Sequence, residues 1–258
     1  PFAKLRFRAD AATTAPDIAH VLDRRTNRFA YRRGDIPTPT LLGLERLKRA
    51  ISDDNSQLHV LGTKKRVLGE ILADLEVVRF RNIRLIEEVA NYVHQQRSSS
   101  AAATRDVAAD TLDLTPLQTR MLALFKRFPR ARRPILWLNA IGLWRKVRAF
   151  CVHATAGYLV FTVSNEKDAT YVELGRKIQR SLNELTRLGL ASHSMLSGLY
   201  LLHLCFENPE IFSTSAKNTL LVCRQDLERM FGVPDRHIAF IVRFGYPSAP
   251  VALTPRRP

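Results

Sequence analysis

The chain has 258 residues, 46% apolar and 25% charged, which is enough to bury a substantial core and too apolar for a disordered polyelectrolyte. Its 40 Lys and Arg against 24 Asp and Glu give a net charge of +16, spread along the chain without one basic stripe. With no RNP-like aromatic motif, zinc-finger spacing or helix-turn-helix, nucleic-acid binding is an alternative that rests on charge alone.

In chain order, residues 1–12 are basic and weakly patterned, an edge strand at most. Asp17 to Arg25 reads as a helix with Ile18, Val21 and Leu22 on one face, and Phe29 to Asp35 as a loop. Pro37-Thr38-Pro39 opens a second helix with Leu41, Leu42, Leu44, Leu47 and Ile51 as its apolar stripe. Gln57 to Gly62 is a short strand, and Lys64 to Gln96 a long helical stretch with one or two breaks. The low-complexity patch Ser98 to Ala103 is a surface loop. Thr115 to Phe128 and Pro134 to Phe150 are helices separated by the basic turn 130–133. Gly157 to Ser164 is the clearest strand, apolar throughout as a central strand should be. Helices follow over Ala169 to Leu190, Leu196 to Phe206 and Ser215 to Phe231, then a second central strand over His237 to Gly245 and a Pro-rich basic tail from Pro247. Helices interleaved with a few buried strands predict an α+β or α/β layered domain, a small mixed sheet under many helices.

The residues bound the chemistry further. Cys151, Cys205 and Cys223 are odd in number and far apart, which suits a reducing, cytoplasmic compartment and argues against a disulfide scaffold or structural zinc. No run of 18 apolar residues marks a membrane span. The histidines lack metal-ligand spacing, and Ser194 and Ser197 lack a G-x-S-x-G context. The stretch best suited to a ligand is Arg24-Arg25-Thr26-Asn27-Arg28, because Arg supplies a planar fork of donors and Thr a short neutral one, the chemistry of a phosphate site. Its competing reading is a solvated basic turn.

Three separated stretches take on meaning together: Arg24-x-Thr26-x-Arg28 before Ile36-Pro37, the helix from Tyr171 through Gly175, Gln179 and Gly189-Leu190 to Ser192-His193-Ser194, and the strand Ile238 to Pro247 with Arg243-Phe244-Gly245-Tyr246-Pro247 and a terminal Arg256-Arg257. In this order they resemble the nitroreductase-like family of FMN-dependent oxidoreductases, over residues 17 to 258. They are most similar to the branch whose phosphate motif reads R-x-T-N-R. The resemblance implies a nitroreductase-like α+β fold with a small mixed central β-sheet flanked by many helices. It also implies a single domain over 1–258 that lacks its N-terminal segment and carries a helical insertion at 63–150.

The same resemblance implies FMN as cofactor and NAD(P)H as hydride source, with a nitro compound, quinone or other acceptor as second substrate. Arg24, Thr26 and Arg28 would hold the FMN phosphate and ribityl end, and Arg256 or Arg257 would reach the same phosphate. Leu190, His193 and Ser194 would lie in a turn against the isoalloxazine ring. No catalytic acid or base and no metal is required. A homodimer is implied, with the C-terminal tail crossing to the partner. The family's S-x-[ND]-x-Q-P-W stretch has no match here beyond the faint echo Asp54-Asn55-Ser56-Gln57-Leu58, and it is expected upstream of Pro1. A non-catalytic flavin-binding or structural relative is therefore the first alternative, and a basic nucleic-acid-binding protein the second.

Overall fold

Two apolar runs form the centre of the sheet on which the chain is built. The computed structural model describes residues 23–24, 26–32, 34, 36–62, 65–94, 107–108, 120, 123–124, 127–128, 145–231 and 236–248. Helix α1 (Thr38–Ile51) starts behind Pro37 and Pro39, whose fixed φ suits a first turn, and buries Gly43, Leu44, Leu47 and Ile51. Leu42, expected in that stripe, is 55% exposed because it lies off the line through Leu44, Leu47 and Ile51. Strand β1 is Ser56–Leu61.

The long helical stretch is two helices, α2 (Lys65–Arg81) and α3 (Ile83–Tyr92). Asn82 makes the break: its Oδ1 accepts the Arg84 N–H at 3.1 Å as an N-cap, and its Nδ2 donates to the Ile211 carbonyl at 3.0 Å. Two short strands, β2 (Val93–His94) and β3 (Val107–Ala108), pair in parallel. Residues 145–148 are helical and run into a π-helical turn, Ala149–His153. Strand β4 (Gly157–Val163), helix α4 (Asp168–Arg187), strand β5 (Ala191–Ser194), helices α5 (Ser197–Glu207) and α6 (Thr214–Phe231) and strand β6 (His237–Gly245) complete the described order.

The four-stranded sheet has the order β1-β4-β6-β5. The α+β class holds, with one correction: the ladders of this sheet are antiparallel, not mixed. Strand β4 starts beside the end of β1, with Tyr158 opposite Leu61, and β6 starts beside the end of β4, with His237 opposite Val163. The intervening helices therefore return the chain to the end it left, and no parallel crossover arises. The parallel contact against this sheet is an isolated bridge, Thr26 with Ser192.

Each face of the sheet has its own core. Tyr158, Val160 and Ile241 meet α2, α5 and α6 through Leu68, Leu72, Leu75, Leu201 and Leu227. Leu159, Phe161, Val242 and Phe244 meet α1 and α4 through Leu44, Leu47, Leu182 and Leu185. Helix α2, which opens the 63–150 stretch, thus shares a core with β4 and β6. The expected helix over 17–25 apart from residues 23 and 24, the 98–103 patch, most of the helices over 115–128 and 134–150, and the tail from 249 lie outside the described residues.

Candidate functional site

Strand β5 owes its position to the end of α4. Gly189 has φ +69°, its N–H donates to the Thr186 carbonyl at 2.9 Å, and the Leu190 N–H donates to the Leu185 carbonyl at 2.8 Å. That is a Schellman C-cap, which needs a residue free to take left-handed backbone, and its usual apolar contact joins Leu190 to Leu185 in one core. The stretch expected as a turn against a ligand is therefore a helix cap followed by a strand. Leu190 is buried in the α1/α4 core, and its N–H already serves the cap.

From there β5 pairs with β6 in the register Ala191–Gly245, Ser192–Phe244, His193–Arg243 and Ser194–Val242. In such a ladder, backbone groups alternate between the partner strand and the open edge. The Ser192 carbonyl accepts the Asn27 N–H at 2.8 Å, so Ser192 and, two residues on, Ser194 turn their backbone groups to the outer edge. Thr26 and Asn27 lie along that edge.

Arg243 fastens this loop to the sheet. It is fully buried, with a 0% exposed side chain in an otherwise apolar strand. Its Nη2 donates to the Phe29 carbonyl at 2.6 Å and the Asn27 carbonyl at 3.4 Å, and its Nη1 to the Ala154 carbonyl at 3.4 Å. Its Nε donates to His193 Nδ1 at 3.2 Å. The guanidinium carbon sits 4.2 Å from the Tyr31 ring centroid and 3.4 Å from that of Phe150. Tyr31 in turn donates its hydroxyl proton to the Asn27 carbonyl at 3.0 Å, and its N–H to the Ala154 carbonyl at 3.1 Å. The Tyr31 ring lies where a Cβ on residue 245 would stand, 2.7 Å away, so Gly245 is what admits it. The loop continues against the end of β6: the Arg32 N–H donates to the Tyr246 carbonyl at 2.8 Å, and Tyr31 bridges Pro247.

The electrostatics are one-sided. Burial lowers the proton affinity of Arg243, but guanidinium stays charged at any ordinary pH. His193 is pushed down to about 3, first by burial and then by the charges of Arg243, Arg28 and Arg79. Burial lifts the Tyr31 hydroxyl to about 12, and burial, helped by Glu76, lifts the Cys151 thiol to about 12, so neither ionises near neutrality. Arg24 Nε and Asn27 Nδ2 are buried donors without a hydrogen-bond partner among the described residues. Among those residues no group of three or more His, Cys, Asp and Glu could hold a metal. No described helix is long and apolar enough to cross a membrane.

Of the residues picked from sequence, Arg24, Thr26, Arg28, His193 and Ser194 thus lie on the loop and the strand that Arg243 joins, while the Leu190 side chain belongs to the core. Arg256 and Arg257 lie outside the described residues. Sequence reasoning quotes Arg243 and Asn27 within its motifs but gives neither a role, and it passes over Tyr31 and Phe150. The signal for Arg243 was present, as the one charge within the apolar run Ile238 to Gly245.

No family model matches the chain, and no curated protein matches it by sequence. Among solved structures it is similar to a nitroreductase with bound FMN from Bacteroides fragilis, at 13% identity and TM-score 0.45, over 93% of this chain and 92% of that one. It is also similar to the FMN-dependent nitroreductase NfnB from Mycobacterium smegmatis in complex with NADPH, at 15% identity and TM-score 0.45, over 90% and 87% of the two chains. A nitroreductase with bound FMN from Desulfitobacterium hafniense matches at 9% identity and TM-score 0.47, over 93% of each chain.

Proposed function

We propose that this chain is an FMN-dependent oxidoreductase of nitroreductase type, taking hydride from NAD(P)H and passing electrons to a nitro compound, quinone or other acceptor. The observation that supports it best is the meeting of sequence-distant stretches at the outer edge of β5, through a loop segment in which two buried donors, Arg24 Nε and Asn27 Nδ2, have no acceptor among the described residues. A buried donor left unpaired costs about 1–3 kcal/mol. A phosphate, with several acceptor oxygens and two negative charges, fits such a donor set.

In this reading Arg24, Thr26 and Arg28 hold the phosphate and ribityl end, and Arg256 or Arg257 reaches the same phosphate. His193 and Ser194 border the flavin ring, with Leu190 fixing the start of their strand. FMN, when bound, supplies the hydride chemistry, and the chain places it. The chain's own residues bind the anion, orient the ring against the β5 edge and keep the loop from moving. Two copies would pair through apolar side chains that α5 and α6 leave exposed, among them Tyr200, Phe206, Leu221 and Val222.

The test is flavin binding by the whole chain, read by visible absorbance. FMN should bind, and the double substitution Arg24→Ala with Arg28→Ala should weaken it by roughly 2–5 kcal/mol, since charge-assisted contacts are worth about 1.5–3 kcal/mol each and are not additive. Riboflavin, which lacks the phosphate, should bind both proteins alike. Equal loss of both ligands would make the Arg pair structural. A protein that holds FMN but does not oxidise NAD(P)H would be the non-catalytic flavin-binding relative.

A further inference from the structure

Arg243 and His193 raise a question that the phosphate site does not answer. A guanidinium has only donors, and Arg243 points its Nε at His193 Nδ1 from 3.2 Å. The contact exists only if Nδ1 carries a lone pair. The ring is neutral, so its single proton then sits on Nε2.

The surroundings hold it there. Arg243 cannot swing away, because its other nitrogens donate to the carbonyls of Asn27, Phe29 and Ala154 and its plane is enclosed by Tyr31 and Phe150. Among the described residues, the charged groups that act on the ring are Arg243 from β6, Arg28 from the loop and Arg79 from α2. All three are cations, and each opposes a second proton on the imidazole. Arg79 has its own carboxylate, Glu76, at 2.6 Å, and Glu76 also accepts from the Ser197 hydroxyl. Phe150 meets the imidazole edge-on, with centroids 6.1 Å apart, and offers it no acceptor.

We infer that Arg243 is a positioning residue that makes His193 a donor-only group, so that the ligand atom this ring meets must be an acceptor: a carbonyl oxygen, an unprotonated ring nitrogen or a phosphate oxygen. The inference deepens the flavin reading by naming the ligand atom class that His193 selects, and for that part it rests on that reading. The tautomer itself does not. A neutral histidine free to rotate or to change tautomer would accept N–H and O–H donors equally well. This one rejects them, because a donor facing a donor leaves both unpaired.

The test is nitrogen NMR of the whole chain, labelled at histidine and free of ligand, with the His193 signal assigned by its loss in His193→Gln. The wild type should show a neutral ring protonated on Nε2, with no titration between about pH 5 and pH 8, where an unperturbed histidine changes charge. Arg243→Lys, which keeps the charge but not the fork, should release the ring to populate both tautomers. A wild-type ring protonated on Nδ1, or titrating near its ordinary midpoint, would overturn the inference. If Arg243→Lys does not fold, the wild-type spectrum still decides. In a second arm, His193→Phe should weaken FMN and riboflavin by the same factor, about tenfold for one lost hydrogen bond. Unchanged flavin binding would overturn the role in ligand selection. A wild type that binds no flavin yet holds the Nε2 proton would support the tautomer and remove the flavin reading.

Discussion

The two faces of one sheet solve different problems with the same strands. Toward α1 and α4, residues Leu159, Phe161, Val242 and Phe244 make an apolar contact. Among the described residues, the buried charge on that side, Lys177, has both a carboxylate, Asp53 at 2.5 Å, and the Ser56 hydroxyl at 2.7 Å. Toward α2 and the π-helical turn, the same strands bury Tyr158, Thr162 and Arg243. There the buried cation has carbonyls, an imidazole and two rings for partners in place of a carboxylate. Burying an ion is expensive, and pairing it with a carboxylate would cancel its field. Neutral partners satisfy the donors and leave the positive field in place at the loop that carries Arg24, Thr26 and Arg28. One face is thus built for packing, and the other keeps a charge unneutralised beside the candidate anion site.

Substitutions on each face can break or sharpen this contrast. The largest effect belongs to the apolar face: Phe161→Ala should cost about 3–5 kcal/mol in denaturant unfolding, equally at neutral and mildly acidic pH, because only a cavity is made. A strong pH dependence of that loss would blur the distinction. Arg243→Met comes next. It keeps much of the volume but leaves the carbonyls of Phe29, Asn27 and Ala154 without their donor, and should cost about 2–4 kcal/mol in the same measurement. Its second signature is faster proteolysis within 26–32, which Phe161→Ala at matched stability should not reproduce.

His193 supplies a smaller, pH-dependent effect. Its folded-state value, about 3, lies below the ordinary 6.5, so the unfolded chain takes up the proton first. Its contribution is complete above about pH 6.5 and is lost as the pH falls toward 3. With a slope of at most about 1.4 kcal/mol per pH unit, about 2 kcal/mol should be gone by pH 5. Unfolding free energies of wild type and His193→Gln, from denaturant titration, should converge by that amount over this window. Parallel curves would place His193 in water. Asp53 and Glu70 also lose stabilisation on acidification, because hydrogen bonds from Lys177 and Arg148 hold their carboxyls below the usual range. Their windows lie lower, through the carboxylate range.

The smallest effect is expected at the ion pair of Lys177 with Asp53. Asp53 is about half exposed, so Asp53→Asn should cost under about 1 kcal/mol, and the loss should shrink in high salt. A loss as large as that of Arg243→Met would mean that the Lys177 ion pair is as insulated as the Arg243 cluster.

Much of the fold was legible in the sequence, because its cues are local. The β4 and β6 strands are continuous apolar runs, the stripe Leu44, Leu47 and Ile51 has helical spacing, and Gly189 marks the end of α4. The Asn82 break was foreseen only as one or two unspecified interruptions, since an N-cap inside a helical run looks like any other polar position. The motif Arg24 to Arg28 could be picked out for its chemistry, and the order of the three stretches suggested that they meet. What sequence could not decide was the direction of the ladders, the burial of Leu190, or the partners of Arg243. Each depends on groups far apart in the chain. Arg243 reads as an ordinary charge in a strand until the Asn27 and Phe29 carbonyls, more than 200 positions away, are folded onto it. Periodicity and caps are set within a few residues and survive in the primary structure. The environment that locks a tautomer or keeps a buried charge uncancelled exists only once tertiary packing has excluded water and chosen the neighbours.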